Sequence, residues 1–385
     1  MNKKLIRITT VPISLEKLLG HQLHYMSQYY DVTAISSDKS YLERVGTAQG
    51  VAVFCVEMTR KITPLQDLKA VWELYNYLRR EKPFIVHTHT PKAGTIGMLA
   101  AVLAGVPHRL HTIAGLPLLE TSGFKRKLLN LVEKVTYSSA THIYPNSFGL
   151  KDIIIKEKFC GPEKLSVIGN GSSNGIDANH FNPDLYSDID KNQLKASLGI
   201  ALDDFVFIFV GRLVGDKGIN ELVEAFLKLA KTKISAKLLL VGAQEVDLDP
   251  LQHETLLQIN SNPNIISVGH QNDVRPYFAI SSSLVFPSYR EGFPNVVMQA
   301  GAMNLPCIVT NINGCNEIII EKTNGIIIPV KDKEAIFNAM VKIYEDTVLF
   351  HKMKQNARAM IVLRYEQIVV WEAILAEYKK LEKYV

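Results

Sequence analysis

Two segments in the second half of the chain combine glycine with charged side chains directly after apolar strands. The first reads GRLVGDKGI and places Arg212 and Lys217 in a loop that opens a helix. The second reads SYREGFPNVV and places Glu291 in a loop that also ends at a helix start. Arginine and lysine bind phosphate oxygens, and the N–H groups of a helix start attract anions. These segments predict a diphosphate site with one carboxylate beside it, although each alone also fits an ordinary strand–loop–helix unit.

Strand-like and helix-like segments alternate along the whole chain, which predicts an α/β fold with doubly wound parallel sheets. In the first half, the predicted strands are residues 5–9, 32–36, 51–56, 84–88, 109–112 and 142–145, and the predicted helices are 15–27, 64–80, 93–104 and 125–137. Six further strand candidates follow residue 205, after a stretch rich in Gly, Asn, Ser and Pro. Ligands of such sheets bind at the carboxyl ends of the strands. We predict two domains, 1–180 and 195–365, with a linker at 181–194 and a C-terminal helix at about 366–385.

Composition indicates a globular protein in a reducing compartment. The chain has 385 residues, of which 47% are hydrophobic, and its four cysteines contain no CxxC pair. Buried thiols are therefore expected rather than disulfides or a metal site. No signal peptide and no apolar run of about 20 residues is evident, so we expect a cytoplasmic protein. Residues 1–180 carry 22 Lys+Arg against 14 Asp+Glu, a net charge of +8, whereas residues 181–385 carry 21 against 24, or −3.

The two charged segments resemble the donor-binding elements of glycosyltransferase family 4, in matching order and about 80 residues apart. The resemblance implies a GT-B fold, with two Rossmann-like domains facing across a cleft and the C-terminal helix packing back on the first. It also implies a retaining, metal-independent enzyme with a nucleotide-sugar donor, most often UDP-linked. The donor-binding residues that it implies are Gly211, Arg212, Lys217, Glu291, Gly292, Phe293, Pro294, Asn295, Val296 and Gln299. The family usually has a second glutamate where this chain has Gln299, which indicates either weaker nucleotide binding or a solution particular to a subfamily.

Two segments of the first half, IVHTHTPKAG and RLHTIAGLP, resemble the bacterial members of this family that extend lipid-linked oligosaccharides. The resemblance implies a polyprenyl-diphosphate-linked sugar as acceptor, with His89, Lys92 and Gly115 on the acceptor side. It also implies a catalytic role for His111, beside Glu291, Arg212 and Lys217. Judged from the sequence alone, His111 fits better as a core histidine that is bonded to a backbone carbonyl.

A basic amphipathic helix is predicted at residues 122–138, with Phe124 at its edge and Lys125, Arg126 and Lys127 beside apolar positions. Such a helix can lie on an anionic membrane surface, which would place the protein peripherally on the inner face of the cytoplasmic membrane. The alternative is a core-packed helix with a solvated basic face. Nothing in the sequence resembles a nucleic-acid-binding module, so no nucleic acid partner is expected.

No cofactor and no metal are expected. Two D-x-D sequences, at 188–190 and 247–249, are interpreted as solvated acids of polar loops, because pairs at this spacing are common. Two other functions stay open at this point. One is an epimerase acting on UDP-N-acetylglucosamine with the same fold, and the other is a non-catalytic sensor of sugar nucleotides, suggested by Gln299.

Overall fold

Two parallel six-stranded sheets organise the computed structural model, which describes residues 2–61, 63–116, 118, 121–245 and 249–384. Each sheet lies in its own compact unit. The first unit comprises Met1–Asn174 and Ile368–Val385, and the second comprises Gly175–Gln367. The predicted fold class, with two doubly wound α/β units, is confirmed. All four cysteines are free thiols, but only Cys307 and Cys315 are buried as expected, whereas Cys55 and Cys160 are half-buried.

The sheet of the first unit has the strand order β3-β2-β1-β4-β5-β6. Its strands are β1 Lys4–Ile8, β2 Asp31–Ser36, β3 Ala52–Cys55, β4 Ile85–His89, β5 His108–Ile113 and β6 His142–Pro145. The α-helices that the structure describes before Asn174 are α1 Pro12–Ser14, α2 Gln22–Ser27, α3 Lys39–Gln49, α4 Pro64–Glu81, α5 Pro91–Leu103, α6 Gly123–Ser139 and α7 Phe148–Lys156. The single helix predicted at 15–27 is instead a π-helical turn, Leu15–Leu19, followed by α2, because Gly20 adopts a φ of 50° that ends the turn.

The sheet of the second unit has the strand order β12-β11-β10-β7-β8-β9. Its strands are β7 Phe205–Val210, β8 Ala236–Val241, β9 Ile265–Ser267, β10 Ser283–Phe286, β11 Cys307–Thr310 and β12 Gly325–Ile328. Its helices are α8 Asp188–Ser197, α9 Ile219–Ala230, α10 His253–Ser261, α11 Arg275–Ala279, α12 Asn295–Ala302, α13 Cys315–Ile318, α14 Lys333–Glu345 and α15 Thr347–Tyr365. Side chains of β7, β8, β10 and β11 form the centre of the core, because a parallel sheet is covered on both faces.

The structure differs from the predicted linker at residues 181–194. The chain passes from the first unit to the second at Asn174 and Gly175, and the stretch that follows belongs to the second unit. It contains α8, which begins with a capping box formed by Ser187 and Asp190. Reciprocal hydrogen bonds of this kind stabilise the start of a helix. The polar composition of the stretch is typical of a linker, which is why the sequence did not predict α8.

The last helix, α16 (Gln367–Leu381), returns almost entirely to the first unit, as predicted, although Val385 lies outside the described residues. A buried polar network holds it there. The Tyr378 hydroxyl accepts a hydrogen bond from Arg7 at 3.0 Å and lies 2.5 Å from Nδ1 of His87. Because a buried guanidinium is costly to leave without partners, this network fixes α16 against β1 and β4.

Candidate functional site

The candidate site of the second unit lies where its strand order reverses, between β7 and β10. The chain proceeds from β7 to β8 and β9 on one side and returns to β10 on the other side of β7. Ligands of doubly wound sheets bind at this point, outside the carboxyl ends of the strands. The two loops that leave these strands, residues 211–218 and 287–294, carry both predicted charged segments.

Lys217 and Glu291 meet between these two loops. The lysine Nζ lies 2.5 Å from the Glu291 Oε1, and the two side chains are only 15% and 18% exposed. The hydroxyl of Ser288 donates a second hydrogen bond to the same carboxylate oxygen, at 2.8 Å. The carboxylate is therefore held in one orientation, and carboxylate oxygens can accept further hydrogen bonds from a ligand.

The close approach of the two loops depends on Gly218, which follows Lys217. Its φ is +71°, and a Cβ atom there would lie 2.3 Å from the carbonyl oxygen of Pro287. Any other residue would be strained and would push the loops apart. The short glycine-containing sequence therefore sets the distance between Lys217 and Glu291.

Arg212 lies at a more open position beside Gly211, after β7. Its guanidinium is 47% exposed and donates to Glu245 at 2.9 Å, a hydrogen bond that raises the pKa of Arg212. Glu245 follows β8 and was not predicted as part of the site. Its position directly after a strand of the same sheet is the signal that could have identified it. The remaining N–H groups of the fork are suited to phosphate oxygens.

The loop after β10 leads directly into the first turn of α12, as the sequence predicts. Pro294 precedes this turn, and no side chain caps it in the described part of the chain, so Asn295 and Val296 present backbone N–H groups. Phe293 is buried and packs edge-on against Tyr365, with ring centroids 5.4 Å apart. Gln299 lies half-buried in the second turn of the same helix.

The loop after β11 packs against the loop after β10 and holds it by hydrogen bonds. The sequence did not indicate this contact. The side chain of Asn313 donates hydrogen bonds to the carbonyl oxygens of Glu291 and Gly292, at 2.5 and 3.1 Å. Gly314 lies so close that a Cβ atom would be 2.7 Å from the Gly292 oxygen. An asparagine–glycine pair beyond a strand is a common turn signal, which explains why its role was missed.

In the first unit, the structure places His111 in the core. It is 2% exposed, its Nδ1 lies 2.8 Å from the Thr88 hydroxyl, and burial lowers its pKa to about 4. Its ring fills the space beside Gly94, where a Cβ atom would lie 2.4 Å from the ring. These are the contacts of a structural histidine, with a hydroxyl in place of the expected carbonyl. The catalytic role of His111 stays a prediction.

Two of the three residues assigned to the acceptor side are also engaged in internal contacts. His89 is buried and accepts a hydrogen bond at its Nε2 from Arg7, so its proton resides on Nδ1. Lys92 forms an ion pair with Asp67 at 2.5 Å and is 15% exposed. Only Gly115 lies in open space, in the loop after β5. Strand ends do not reveal such partners, because the partners come from distant parts of the sequence.

The predicted basic helix is α6, and one of its assigned membrane-facing residues needs correction. Phe124 is 82% exposed, and Lys125 and Lys127 are exposed beside it. Arg126 instead turns inward, where it pairs with Glu157 at 2.9 Å and donates to the Leu118 carbonyl. It occupies the core-facing side of the helix and therefore has a structural role.

The described residues contain no group of three potential metal ligands, and of the two D-x-D sequences only the one at 188–190 lies entirely among them. Asp190 belongs to the capping box of α8, and Asp188 is 92% exposed. Asp249 accepts a hydrogen bond from the Asp216 backbone N–H at 2.6 Å, whereas Asp247 lies outside the described residues. Within the described ranges, no helix combines the length and the hydrophobicity that crossing a bilayer requires.

Solved structures with this architecture include glycosyltransferases. A glycosyltransferase of Rickettsia africae superimposes with a TM-score of 0.82 over 100% of both chains, at 17% identity. Anabaena HepE, solved with UDP and glucose, gives a TM-score of 0.77 over 98% of this chain and 100% of its own, at 18% identity. These likenesses show the two-domain α/β fold of the GT-B class.

The sequence comparisons identify the family within this class. Residues 190–360 match the profile "Glycosyl transferases group 1", and residues 22–171 match "Glycosyl transferase 4-like domain". The capsular polysaccharide biosynthesis glycosyltransferase CapM of Staphylococcus aureus is 32% identical over 98% of this chain and 97% of its own. UDP-Gal:alpha-D-GlcNAc-diphosphoundecaprenol alpha-1,3-galactosyltransferase of Escherichia coli is 33% identical over 87% of this chain and 85% of its own. The chain belongs to the group 1 glycosyltransferases of family 4.

Proposed function

We propose that this glycosyltransferase moves a sugar from a UDP-linked donor onto a polyprenyl-diphosphate-linked sugar, with retention of configuration and without a metal. The names of its relatives support the substrate classes. The Escherichia coli relative is named for a UDP-galactose donor and a diphosphoundecaprenol-linked acceptor, and the Staphylococcus aureus relative for capsule biosynthesis. A role in bacterial surface-glycan synthesis follows from these substrates.

The observation that carries the proposal is the contact between Lys217 and Glu291 at the reversal of the second sheet. It places a cation and an anion within one site, and a nucleotide sugar needs both. The diphosphate requires positive charge, and the sugar hydroxyls require a hydrogen-bond acceptor. Arg212 and the N–H groups of Asn295 and Val296 extend the positive side of this site.

The proposed reaction follows from the charges that develop as the donor is cleaved. The bond between the anomeric carbon and the leaving diphosphate oxygen breaks, which leaves negative charge on the phosphate. Lys217 and Arg212 stabilise this charge in the role that a metal has in other glycosyltransferases. Glu291 binds hydroxyls of the sugar while its ring becomes positively charged. The acceptor hydroxyl attacks from the face that the diphosphate vacates, and its proton passes to the leaving phosphate.

A lipid-linked acceptor remains in the membrane, and we propose that the first unit binds an anionic bilayer to reach it. Its helix α6 exposes Phe124 and Leu131, at 82% and 59%, beside Lys125 and Lys127. Lysines next to exposed aromatic and aliphatic side chains favour the surface of an anionic bilayer. Helix α4 of the same unit exposes a further apolar row, Leu65, Leu68 and Trp72.

The donor proposal is tested by incubating the purified protein with UDP-, GDP- and ADP-sugars and measuring the release of nucleoside diphosphate. We expect UDP-sugars to be hydrolysed slowly, and more rapidly with a polyprenyl-diphosphate sugar. The Lys217→Ala variant should release nucleoside diphosphate far more slowly than the wild type, whereas Lys228→Ala, on the exposed face of α9, should match the wild type. Tight nucleotide binding without turnover on any acceptor would instead indicate a sensor.

The membrane proposal is tested by sedimentation with vesicles of phosphatidylglycerol and phosphatidylcholine. The Lys125→Glu/Lys127→Glu variant should lose binding to the anionic vesicles and lose transfer to the lipid-linked acceptor. It should keep its donor hydrolysis, because the changes lie outside the second unit. A matched control is Lys151→Glu/Lys156→Glu on α7 of the same unit, which changes the same total charge. Equal binding of wild type and the α6 variant would overturn the membrane proposal.

A further inference from the structure

A second ion pair joins the same two loops of the second unit, immediately beside the first. The guanidinium of Arg290 lies 2.7 Å from the Asp216 Oδ2, and the two side chains are 51% and 19% exposed. Residues 216 and 217 are an acid followed by a base, whereas residues 290 and 291 are a base followed by an acid. Each loop therefore carries two adjacent charges of opposite sign, and the order of the signs is reversed between the loops. As a result, Asp216 pairs with Arg290 and Lys217 pairs with Glu291.

Asp216 is also fixed through its backbone. Its N–H donates to the Asp249 carboxylate at 2.6 Å, and its carbonyl accepts a hydrogen bond from the Tyr289 N–H at 2.9 Å. The tyrosine hydroxyl in turn donates to Glu221, at the start of α9, at 2.6 Å. Loops after three strands, β7, β8 and β10, thus converge on this one residue, which makes Asp216 the fixed side of the pair.

We infer that Arg290 and Asp216 are positioning residues, whose ion pair sets the register between the catalytic lysine and the catalytic carboxylate. This inference rests on the proposed function of Lys217 and Glu291. Each member of the second pair precedes a member of the first pair along the chain, so a shift of one loop along the other moves both pairs together. A displacement of about 1 Å at reacting groups can lower a rate about 100-fold.

Because Arg290 is half exposed, an experiment can distinguish a positioning role of its ion pair from a role in the stability of the fold. An ion pair that is open to solvent on one side contributes little to folding, because water and salt screen it. If the pair served only the fold, its removal would change little that can be measured. A clear loss of turnover without a matching loss of thermal stability is therefore the signature of positioning.

The experiment is a double-mutant cycle with the variants Asp216→Ala, Arg290→Ala and their combination. We expect each single variant to lower kcat by roughly 10-fold or more, with the donor KM within about 3-fold of the wild type, because the contact acts on the transition state. The kcat of the combined variant should lie within about 3-fold of that of the slower single variant, because the effects of two residues that act through one contact are not additive. Arg290→Lys retains the charge and should restore most of the turnover.

The matched control is the ion pair between Lys228 and Glu334, at 2.6 Å, which joins α9 to α14 on the surface of the same unit. Its variants Lys228→Ala and Glu334→Ala should leave kcat unchanged. The melting temperature of every variant is measured as well, so that unfolding is recognised.

Three outcomes would overturn the inference. Single variants with wild-type kcat would show that the pair is only a surface contact. A loss of kcat in the combined variant that equals the product of the two single losses would show that Asp216 and Arg290 have independent roles. A raised donor KM in Arg290→Ala, but not in Asp216→Ala, would show that Arg290 binds the donor itself. Wild-type protein that turns over no sugar nucleotide would instead refute the proposed function.

Discussion

The ammonium group of Lys217 and the carboxylate of Glu291 lie 2.5 Å apart, although 74 positions separate them in the sequence. Both side chains are mostly shielded from solvent, so each neutralises a charge that would otherwise be costly to bury. A diphosphate that binds Lys217 competes with Glu291 for the same cation. In the proposed donor complex the carboxylate would then bind the sugar hydroxyls, which would link binding of the phosphates to binding of the sugar.

The first prediction concerns the two cations. Lys217→Ala and Arg212→Ala should each lower turnover by roughly 100- to 1,000-fold, because each removes a fixed donor to the leaving diphosphate. Steady-state kinetics with a UDP-sugar donor measures the effect. Lys217→Ala should also be less stable than Arg212→Ala, since it leaves Glu291 with an unpaired, largely buried charge, whereas Arg212 is half exposed. Wild-type activity in either variant would remove that residue from the proposed diphosphate site.

The second prediction is that excess chelator leaves the transfer rate unchanged. The cationic side chains and helix N–H groups of the second unit take the role of a metal in this proposal, and Asp249 is engaged with the Asp216 backbone. The measurement compares rates after dialysis against EDTA with rates after added manganese or magnesium. A loss that manganese restores would return the carboxylates of the 247–249 segment to consideration.

The third prediction concerns Gln299 on α12. A Gln299→Glu variant should bind UDP more tightly, by up to about 10-fold, because hydrogen bonds to a charged acceptor contribute more than neutral ones. Calorimetric titration with UDP measures the change. Gln299→Ala serves as the comparison and should bind more weakly than the wild type. If the glutamate variant binds UDP no better, Gln299 does not contact the nucleotide in the way that the resemblance implies.

The sequence revealed the architecture of each unit because alternating apolar strands and helices are local patterns. It also predicted that Lys217 and Glu291 follow strands of the same sheet, which the structure shows, whereas their role at a donor site stays a prediction. The partners of these residues were not visible. Asn313, Gly314 and Glu245 act on the site from other loops, through contacts that have no local signal. Likewise, the inward orientation of Arg126 depends on Glu157, which belongs to another helix.

The fourth prediction is a loss of stability of the first unit between about pH 6.5 and pH 4. Burial holds the pKa of His87 and His89 well below the ordinary value and that of His111 at about 4. The unfolded chain binds protons at these histidines near pH 6.5, whereas the folded unit does not, so acidification favours unfolding. At pH 5, His111 alone should contribute a loss of about 2 kcal/mol. Carboxylates are expected to add to the loss mainly at lower pH.

Urea unfolding followed by tryptophan fluorescence measures this effect. Both tryptophans of the chain, Trp72 and Trp371, lie in the first unit, so the signal reports on that unit. The unfolding midpoint should be lower at pH 5 than at pH 7.5. His111→Asn, which does not titrate in this range, should have a smaller difference between the two midpoints. Identical midpoints of the wild type at both pH values would contradict the assigned burial of the histidines.

The network around Arg7 also sets the order in which a newly made chain can finish folding. Arg7 and its partner Tyr378 are 371 positions apart, and residues 175–367 of the second unit are made between them. At roughly 5–20 residues per second, the ribosome needs roughly 20 to 70 s to connect these two residues. During that interval the strands of the second unit, the last of which ends at Ile328, can form their sheet while the guanidinium of the first unit lacks its hydroxyl partner. A premature stop before codon 378 would therefore damage the half of the protein that is translated first.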